Sequence, residues 1–273
     1  MTATTVPVPA TARTQPGRSH YAVADALTIM WRNLVGMTRT PQVLVFSTIQ
    51  PIIFVLMFRY VFGGAIRIPG VTHYVDYLMP GVFAQTVVFG SIQTGVALAE
   101  DLHKGLIERF QSLPMARSAV LAGRTLADLV RNVFVVLLMV VIGFAVGWRI
   151  HTNVVEVVAG LALMLLFSQA LAWVFAIVGL NAANAEAAQA ASFPILAPLV
   201  FASTAFVSAQ SMPAPLKWFA EHQPVSIVID AVRSLTYGGA FASTGKVLAA
   251  LAWCIGIIAV AAPLAVSIYR RKV

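Results

Sequence analysis

The sequence predicts an all-α, polytopic membrane protein with six transmembrane helices, a cytoplasmic amphipathic coupling helix and an outer re-entrant helical segment. Three observations carry that reading. Hydrophobic residues make up 59% of the 273-residue chain and charged residues only 10%, with a mean hydropathy of +0.86. A soluble domain needs a more charged surface, so most of this one must face lipid. Apolar runs of membrane length recur along the chain, and the sparse charges concentrate at its ends and in one stretch, Glu100 to Asn132.

The elements follow in order. Residues 1–20 (MTATTVPVPATARTQPGRSH) contain no apolar run; their Thr, Pro and Ala content reads as a disordered cytoplasmic tail and not as a cleaved signal. Residues 21–40 form an interfacial amphipathic helix, with Val23, Leu27, Met30, Leu34 and Met37 on one face. The six-span permease domain then occupies 41–273. Its first span covers about 43–62 and bends at Pro51, with Arg59 either snorkelling to the outer interface or serving a substrate path. The second covers about 78–99 and the fourth about 154–180. Gln85 and Gln93 in the one, and Gln169 in the other, must find partners in hydrocarbon, so they face other helices or a transport path.

The third span covers about 126–146, and Gly143-x-x-x-Gly147 suits a close helix crossing. Asn181 to Ala191 (NAANAEAAQAA) reads as a turn. The fifth span, about 193–207, is short and broken by Pro194 and Pro198, as helices buried in protein or lining a cavity can be. The long connection from Ser208 to Gly245 carries an apolar face of Val225, Val228, Ile229, Val232 and Leu235, with Asp230 and Arg233 off it. Too short to span, it dips into the outer leaflet. The sixth span, about 247–268, runs into Tyr269-Arg270-Arg271-Lys272.

With both termini inside, twelve of the 18 Lys and Arg residues lie on the cytoplasmic side and six outside, the sense that the positive-inside rule requires. The net charge of +8 is thus a topology signal; no basic stripe alternates with aromatics as in a nucleic-acid surface. Cys254 stands alone, which excludes an intrachain disulfide. There is no GxxxxGK[ST], GxSxG or HExxH, and the five histidines are scattered. His73 and Asp76 share a helical spacing without a further ligand nearby, so neither a catalytic nor a metal site is expected.

The charged stretch holds the remaining signal. Leu102, Leu106, Phe110 and Leu113 share one helical face, Glu100 and Lys104 form an i,i+4 pair, and Pro114 ends the helix. A second helical start follows with Arg117, Arg124, Asp128 and Arg131. On pattern alone this is either a helix resting on the membrane surface or one that docks a partner and receives its motion. The run KGLIERFQSLPMARSAVLAGRTLADL resembles the signature of the type-2 permease family of ATP-binding-cassette transporters, in particular the daunorubicin-resistance type of actinobacteria. The matching positions are Lys104-Gly105, Glu108-Arg109-Phe110, Ser112-Leu113-Pro114-Met115, Arg117, Gly123-Arg124 and Asp128. QPIIFVLMFRYVFGG, YVDYLMPG and QPVSIVIDAVRSL extend the likeness across most of the chain. It departs from the family at Asn184-Ala185-Glu186, where Ser-Pro-Glu is common, and at Ser208, where many relatives have proline.

The resemblance implies a plasma-membrane permease subunit of an ATP-driven exporter for a lipophilic drug, antibiotic or complex lipid. Its partners would be a cytoplasmic ATPase dimer and a second permease chain, the same or a sister. ATP and magnesium would sit on the ATPase, leaving this chain without a cofactor. Leu102, Lys104, Leu106, Glu108, Arg109, Phe110, Leu113, Arg117 and Arg124 would couple to the ATPase. Val228, Asp230 and Arg233 would belong to the outer re-entrant helix. The alternative is a gradient-driven secondary transporter, which needs a carboxylate or broken-helix ion site near the midplane. The sequence places Asp25, Glu100, Asp101, Glu108, Asp128, Glu186, Glu221 and Asp230 outside the spans or at their edges, against that alternative.

Overall fold

Helical periodicity accounts for the regular structure. The computed structural model describes residues 18–272 apart from 40, 67, 69 and 105–116. Among the described residues the α-helices are α1 (Arg18–Thr38), α2 (Pro41–Leu56), α3 (Tyr74–His103), α4 (Arg117–Val146), α5 (Val154–Asn181), α6 (Ala185–Phe201), α7 (Ala214–His222), α8 (Pro224–Thr236) and α9 (Thr244–Lys272). A π-helical turn, Met57–Phe62, extends α2 without a break. By length and composition α3, α5, α9 and the Ala119–Val146 part of α4 can cross a membrane, whereas Thr48–Phe62 and α6 are shorter apolar helices.

The bundle is built around α3, which is buried over most of its length and packs against α2, α4, α5, α6 and α8. Leu78, Met79 and Phe83 of α3 meet Met139 of α4, Phe167 and Phe175 of α5 and Val228 and Ile229 of α8 in one core. Gly95 and Gly179 let α3 and α5 touch backbone to backbone. A methyl on Gly95 would overlap the Phe175 carbonyl, and one on Gly179 would overlap the Gly95 carbonyl. Outward, α4 presents Val130, Phe134, Leu137, Val141 and Phe144 at helical spacing, the stripe expected of a lipid-facing helix.

Several expectations change. The fifth apolar helix is 185–201, not 193–207. Asn184 accepts a hydrogen bond from the Ala187 amide at 2.8 Å and caps it, so the alanine-rich segment expected as a turn forms its first turns instead. The helix ends at Phe201, and residues 202–206 cross the core as buried or half-buried irregular chain. Of Gly143-x-x-x-Gly147, Gly143 does sit close to α3, where a Cβ would stand 2.7 Å from Met79 Cε, but Gly147 lies just past the helix end. The Trp148 amide donates to the Gly143 carbonyl at 2.8 Å across Gly147, whose φ of 99° only glycine adopts readily.

The apolar face of α8 is also reassigned. Val225, Val228, Ile229 and Val232 are at most 1% exposed, covered by α3, α5 and α9. That face meets protein and not a lipid leaflet. A moderately amphipathic helix seeks apolar cover of either kind, and sequence alone does not say which.

Candidate functional site

The ends of α3 and α4 that flank residues 105–116 lie at one end of the bundle, termed basal here. A small apolar cluster ties that end together: Ile29 of α1, Leu98 and Leu102 of α3, Leu121 of α4, Leu180 of α5 and Tyr269 of α9. Displacement of either flank therefore reaches five helices.

A buried polar network rises from this cluster. Its origin lies in α4, where Arg124, Asp128 and Arg131 share a face at spacings of four and three and turn it toward α3 and α5. Arg124 Nη1 lies 3.6 Å from Asp101 Oδ2, and Arg124 Nε lies 3.9 Å from Asp128 Oδ2. Asp128 Oδ1 is 3.5 Å from Arg131 Nη1, while the Thr94 hydroxyl donates to Asp128 Oδ2 at 2.6 Å. Arg131 Nη2 donates to the Gly90 carbonyl at 2.7 Å. Asn132 Nδ2 donates to the Ser168 hydroxyl, and Ser91 Oγ donates to the Ser168 carbonyl at 3.2 Å. Gly90 makes room, since a methyl there would stand 2.9 Å from Asn132 Oδ1.

From Asp101 to Gly90 is eleven residues of helix, roughly 16 Å at 1.5 Å per residue. The network thus joins the basal surface to the middle of α3, α4 and α5. Asp128 is 1% exposed and Arg131 6%. Two acids and two arginines balance, which such burial demands, but the balance is loose. Asp128 Oδ1 and Arg124 Nε make no hydrogen bond, and the three ion pairs of Arg124 and Arg131 measure 3.5–3.9 Å.

A second polar centre occupies the opposite, apical end. Arg233 of α8 is 1% exposed. It donates through Nε to the Tyr77 carbonyl at 3.1 Å, and through Nη2 to the carbonyls of Thr204 at 2.6 Å and Ala205 at 3.1 Å. Its Nη1 reaches Asp230 at 3.0 Å, and the guanidinium lies 3.5 Å from the centre of the Tyr77 ring. Asp230 also receives Lys246 at 2.7 Å and the Thr204 hydroxyl at 3.2 Å. These groups supply hydrogen-bond donors to the irregular chain beyond α6, whose carbonyls would otherwise be buried without partners.

Of the expected coupling residues, Leu102 is half-buried in the basal cluster, and Lys104 is exposed and bonded to Glu100 at 2.6 Å. That bond and the Glu100 charge hold the lysine above its ordinary pKa. Arg124 joins the network. Leu106, Glu108, Arg109, Phe110 and Leu113 lie outside the described residues, as does the side chain of Arg117. Gln85 is buried and Gln169 half-buried, each with an unpartnered amide oxygen, whereas Gln93 is exposed. No hydrogen bond joins any two of these glutamines among the described residues.

Sequence reasoning placed Asp128 at the edge of a span and passed over Arg131, Asn132 and Ser168 as site residues. The 4–3 spacing of Arg124, Asp128 and Arg131 on the face later continued by buried Val135 was the available signal. The correction matters for energetics, because a buried carboxylate within the span removes the sequence argument against a gradient-driven transporter. Comparison with known proteins settles the class instead. The ABC-2 type transporter family model matches residues 25–237. The chain belongs to the ABC-2 type transporter family.

Relatives agree over nearly the whole chain. It is 35% identical over 259 residues to the daunorubicin resistance ABC transporter permease protein DrrB1 of Streptomyces coeruleorubidus, covering 94% of this chain and 90% of that one. It is 28% identical over 262 residues to the probable doxorubicin resistance ABC transporter permease protein DrrC of Mycobacterium tuberculosis, covering 94% and 93%. A putative transport permease, ycf38 of Cyanophora paradoxa, is 23% identical over 220 residues, 80% and 76% of the two chains. As an ABC-2 type permease the chain is a multi-pass membrane transport subunit and not an enzyme, and its family implies an ATP-binding-cassette partner.

Proposed function

We propose that this ABC-2 type permease exports a lipophilic drug, antibiotic or complex lipid, driven by a separate cytoplasmic ATPase dimer and working beside a second permease chain. The observation that carries the reading is the polar network. It begins where the flanks of residues 105–116 meet the bundle and ends at mid-helix. ATP-driven closure of the partner would displace that segment, and the loose ion pairs of Arg124 would exchange as α4 slides on α3. Rigid-body movement of the helices would then open a central path. Gln85 and Gln169, with their unpartnered oxygens, and Gln93 are the proposed polar points on that path.

The basal end is proposed to face the cytoplasm, with both termini there and six spans between. Arg131 and Arg233 are buried, one from each side of the charge count, so the surface bias toward the basal end persists. Single cysteines at Ser19 and Ser243, in a Cys254→Ala background, should label from opposite faces of intact cells. Labelling of Ser19→Cys by an impermeant external reagent refutes the orientation.

Phe110→Ala tests the coupling. An aromatic side chain seated in a partner groove contributes about 2 kcal/mol, a roughly thirtyfold affinity change. Co-purification of the ATPase should fall, or its stimulation by daunorubicin or doxorubicin should disappear, with membrane insertion unchanged. Full binding, stimulation and efflux in that variant would remove the docking role.

A further inference from the structure

Where α9 packs on α5 it leaves a trough of about 700 Å³, lined by Val174 and Ile177 of α5 and by Trp253, Ile257, Val260 and Leu264 of α9, among others. No charged side chain lines it. The trough exists because α9 is thin there: a Cβ added to Gly256 would meet nothing within 4 Å. Ile257, Val260 and Leu264 share a helical face, and seven residues beyond Leu264 the same face continues into Arg271. Arg270 and Arg271 are exposed and have no acidic partner among the described residues. Lys272 donates to the Leu180 carbonyl at 2.7 Å, which fixes the end of α9 beside the end of α5.

We infer that the trough and the terminal arginines form a binding site for one anionic phospholipid, in the leaflet that holds the end of α9. An apolar trough alone would take any apolar molecule, and exposed arginines alone any anion. With Arg271 on the trough's own helical face and Arg270 beside it at the helix end, they match a molecule with an anionic head and a long apolar tail. The distance from Arg271 to Leu264, the near end of the trough, is about 11 Å along the helix, against a hydrocarbon half-thickness of about 15 Å. An acyl chain whose phosphate rests at Arg271 therefore reaches the trough before the bilayer midplane. A second copy of this chain, seated symmetrically on the same face, would instead bring like charges together.

The test is native mass spectrometry of the purified full chain in micelles, titrated with dioleoyl-phosphatidylglycerol or dioleoyl-phosphatidylcholine. The wild type should retain the glycerol lipid more strongly. Arg270→Gln and Arg271→Gln should each weaken that preference about fivefold, the factor expected for one basic side chain near an anionic headgroup. Gly256→Phe should fill the trough and reduce retention of both lipids; if that variant does not fold, Ala252→Leu takes its place. Independently, phosphatidylglycerol with brominated acyl chains should quench the part of the emission that Trp253→Phe removes. Equal retention of the two headgroups, unchanged retention after the trough is filled, or an unquenched Trp253 overturns the proposal. So does a dimer that Gly256→Phe dissociates, which would assign the trough to a second copy. None of these readouts depends on export.

Discussion

The basal network and the apical clamp use the same chemistry, arginine and aspartate buried among helices, in opposite ways. At the apical end Arg233 spends its donors on three carbonyls and a carboxylate at 2.6–3.1 Å, and an aromatic ring covers its plane. At the basal end Arg124 and Arg131 reach their carboxylates at 3.5–3.9 Å, and one oxygen and one nitrogen lack hydrogen bonds. A saturated site has one good arrangement. An unsaturated one has several of similar energy, which a moving element requires. The difference suggests that the apical end holds the fold while the basal end transmits motion.

The largest expected effect comes from breaking the clamp. Arg233→Ala removes a donor from the Tyr77, Thr204 and Ala205 carbonyls, leaving Thr204 with the Tyr77 hydroxyl, and leaves Asp230 with Lys246 and the Thr204 hydroxyl. Removing one partner of a buried ionic site costs about 3–5 kcal/mol, so unfolding in micelles should shift by that amount. Arg233→Lys should recover little, because a point charge cannot serve three carbonyls and stack on a ring. A stable Arg233→Ala protein would show that the clamp is not structural.

Next in size is the close packing beside the network. Gly95→Ala inserts a methyl where the Phe175 carbonyl stands, so α3 and α5 must separate, with a loss of roughly 1–3 kcal/mol. Because the same helices carry Thr94 and Ser168, export should fall with stability, and thermal unfolding read beside efflux checks both.

The network itself should behave in reverse. In Asp128→Leu combined with Arg131→Met, a buried ion pair gives way to apolar groups of similar size, a change often neutral for stability. Arg124 keeps Asp101 as its partner. Unfolding should move by less than about 1 kcal/mol while coupling of ATP hydrolysis to efflux is lost. Normal efflux from the double variant would contradict a transmitting role and leave both regions structural.

How much of this was legible follows from what sequence periodicity encodes. Long apolar helices were readable because hydropathy and length suffice, and the ABC-2 type signature lies in contiguous residues. The α6 start was missed because alanines and a cap at Asn184 suit a helix as well as a turn. The Gly95–Gly179 contact pairs residues 84 positions apart and leaves no local mark. The network was hidden because Asp128 and Arg131, in the first turns of the span expected at 126–146, read as charges at a membrane edge. Asp128 and Arg131 belong inside the span because Asp101, Arg124 and Thr94 neutralise and solvate them. Arg233 likewise read as a charge off the apolar face of an outer re-entrant helix, although the carbonyls it serves belong to chain 28 and 29 residues earlier and to a helix 156 earlier.

The smallest expected effect sharpens the same comparison. Distance ranks the Glu100–Lys104 pair, at 2.6 Å, above Asp101–Arg124, at 3.6 Å. Burial ranks them the other way, because the first pair is 48–59% exposed and the second 16–22%. Water screens the short pair and competes for both its ends, so it contributes little to stability. The longer pair sits in a poorer solvent, where each charge depends more on the other. Glu100→Gln should therefore leave unfolding nearly unchanged, and raising the salt concentration should erase any shift. Asp101→Asn should cost more, resist salt, and slow efflux by releasing Arg124 from α3. Equal, salt-sensitive effects from the two substitutions would mean that Asp101 belongs to the solvated surface, and the network would then begin one turn deeper, at Asp128.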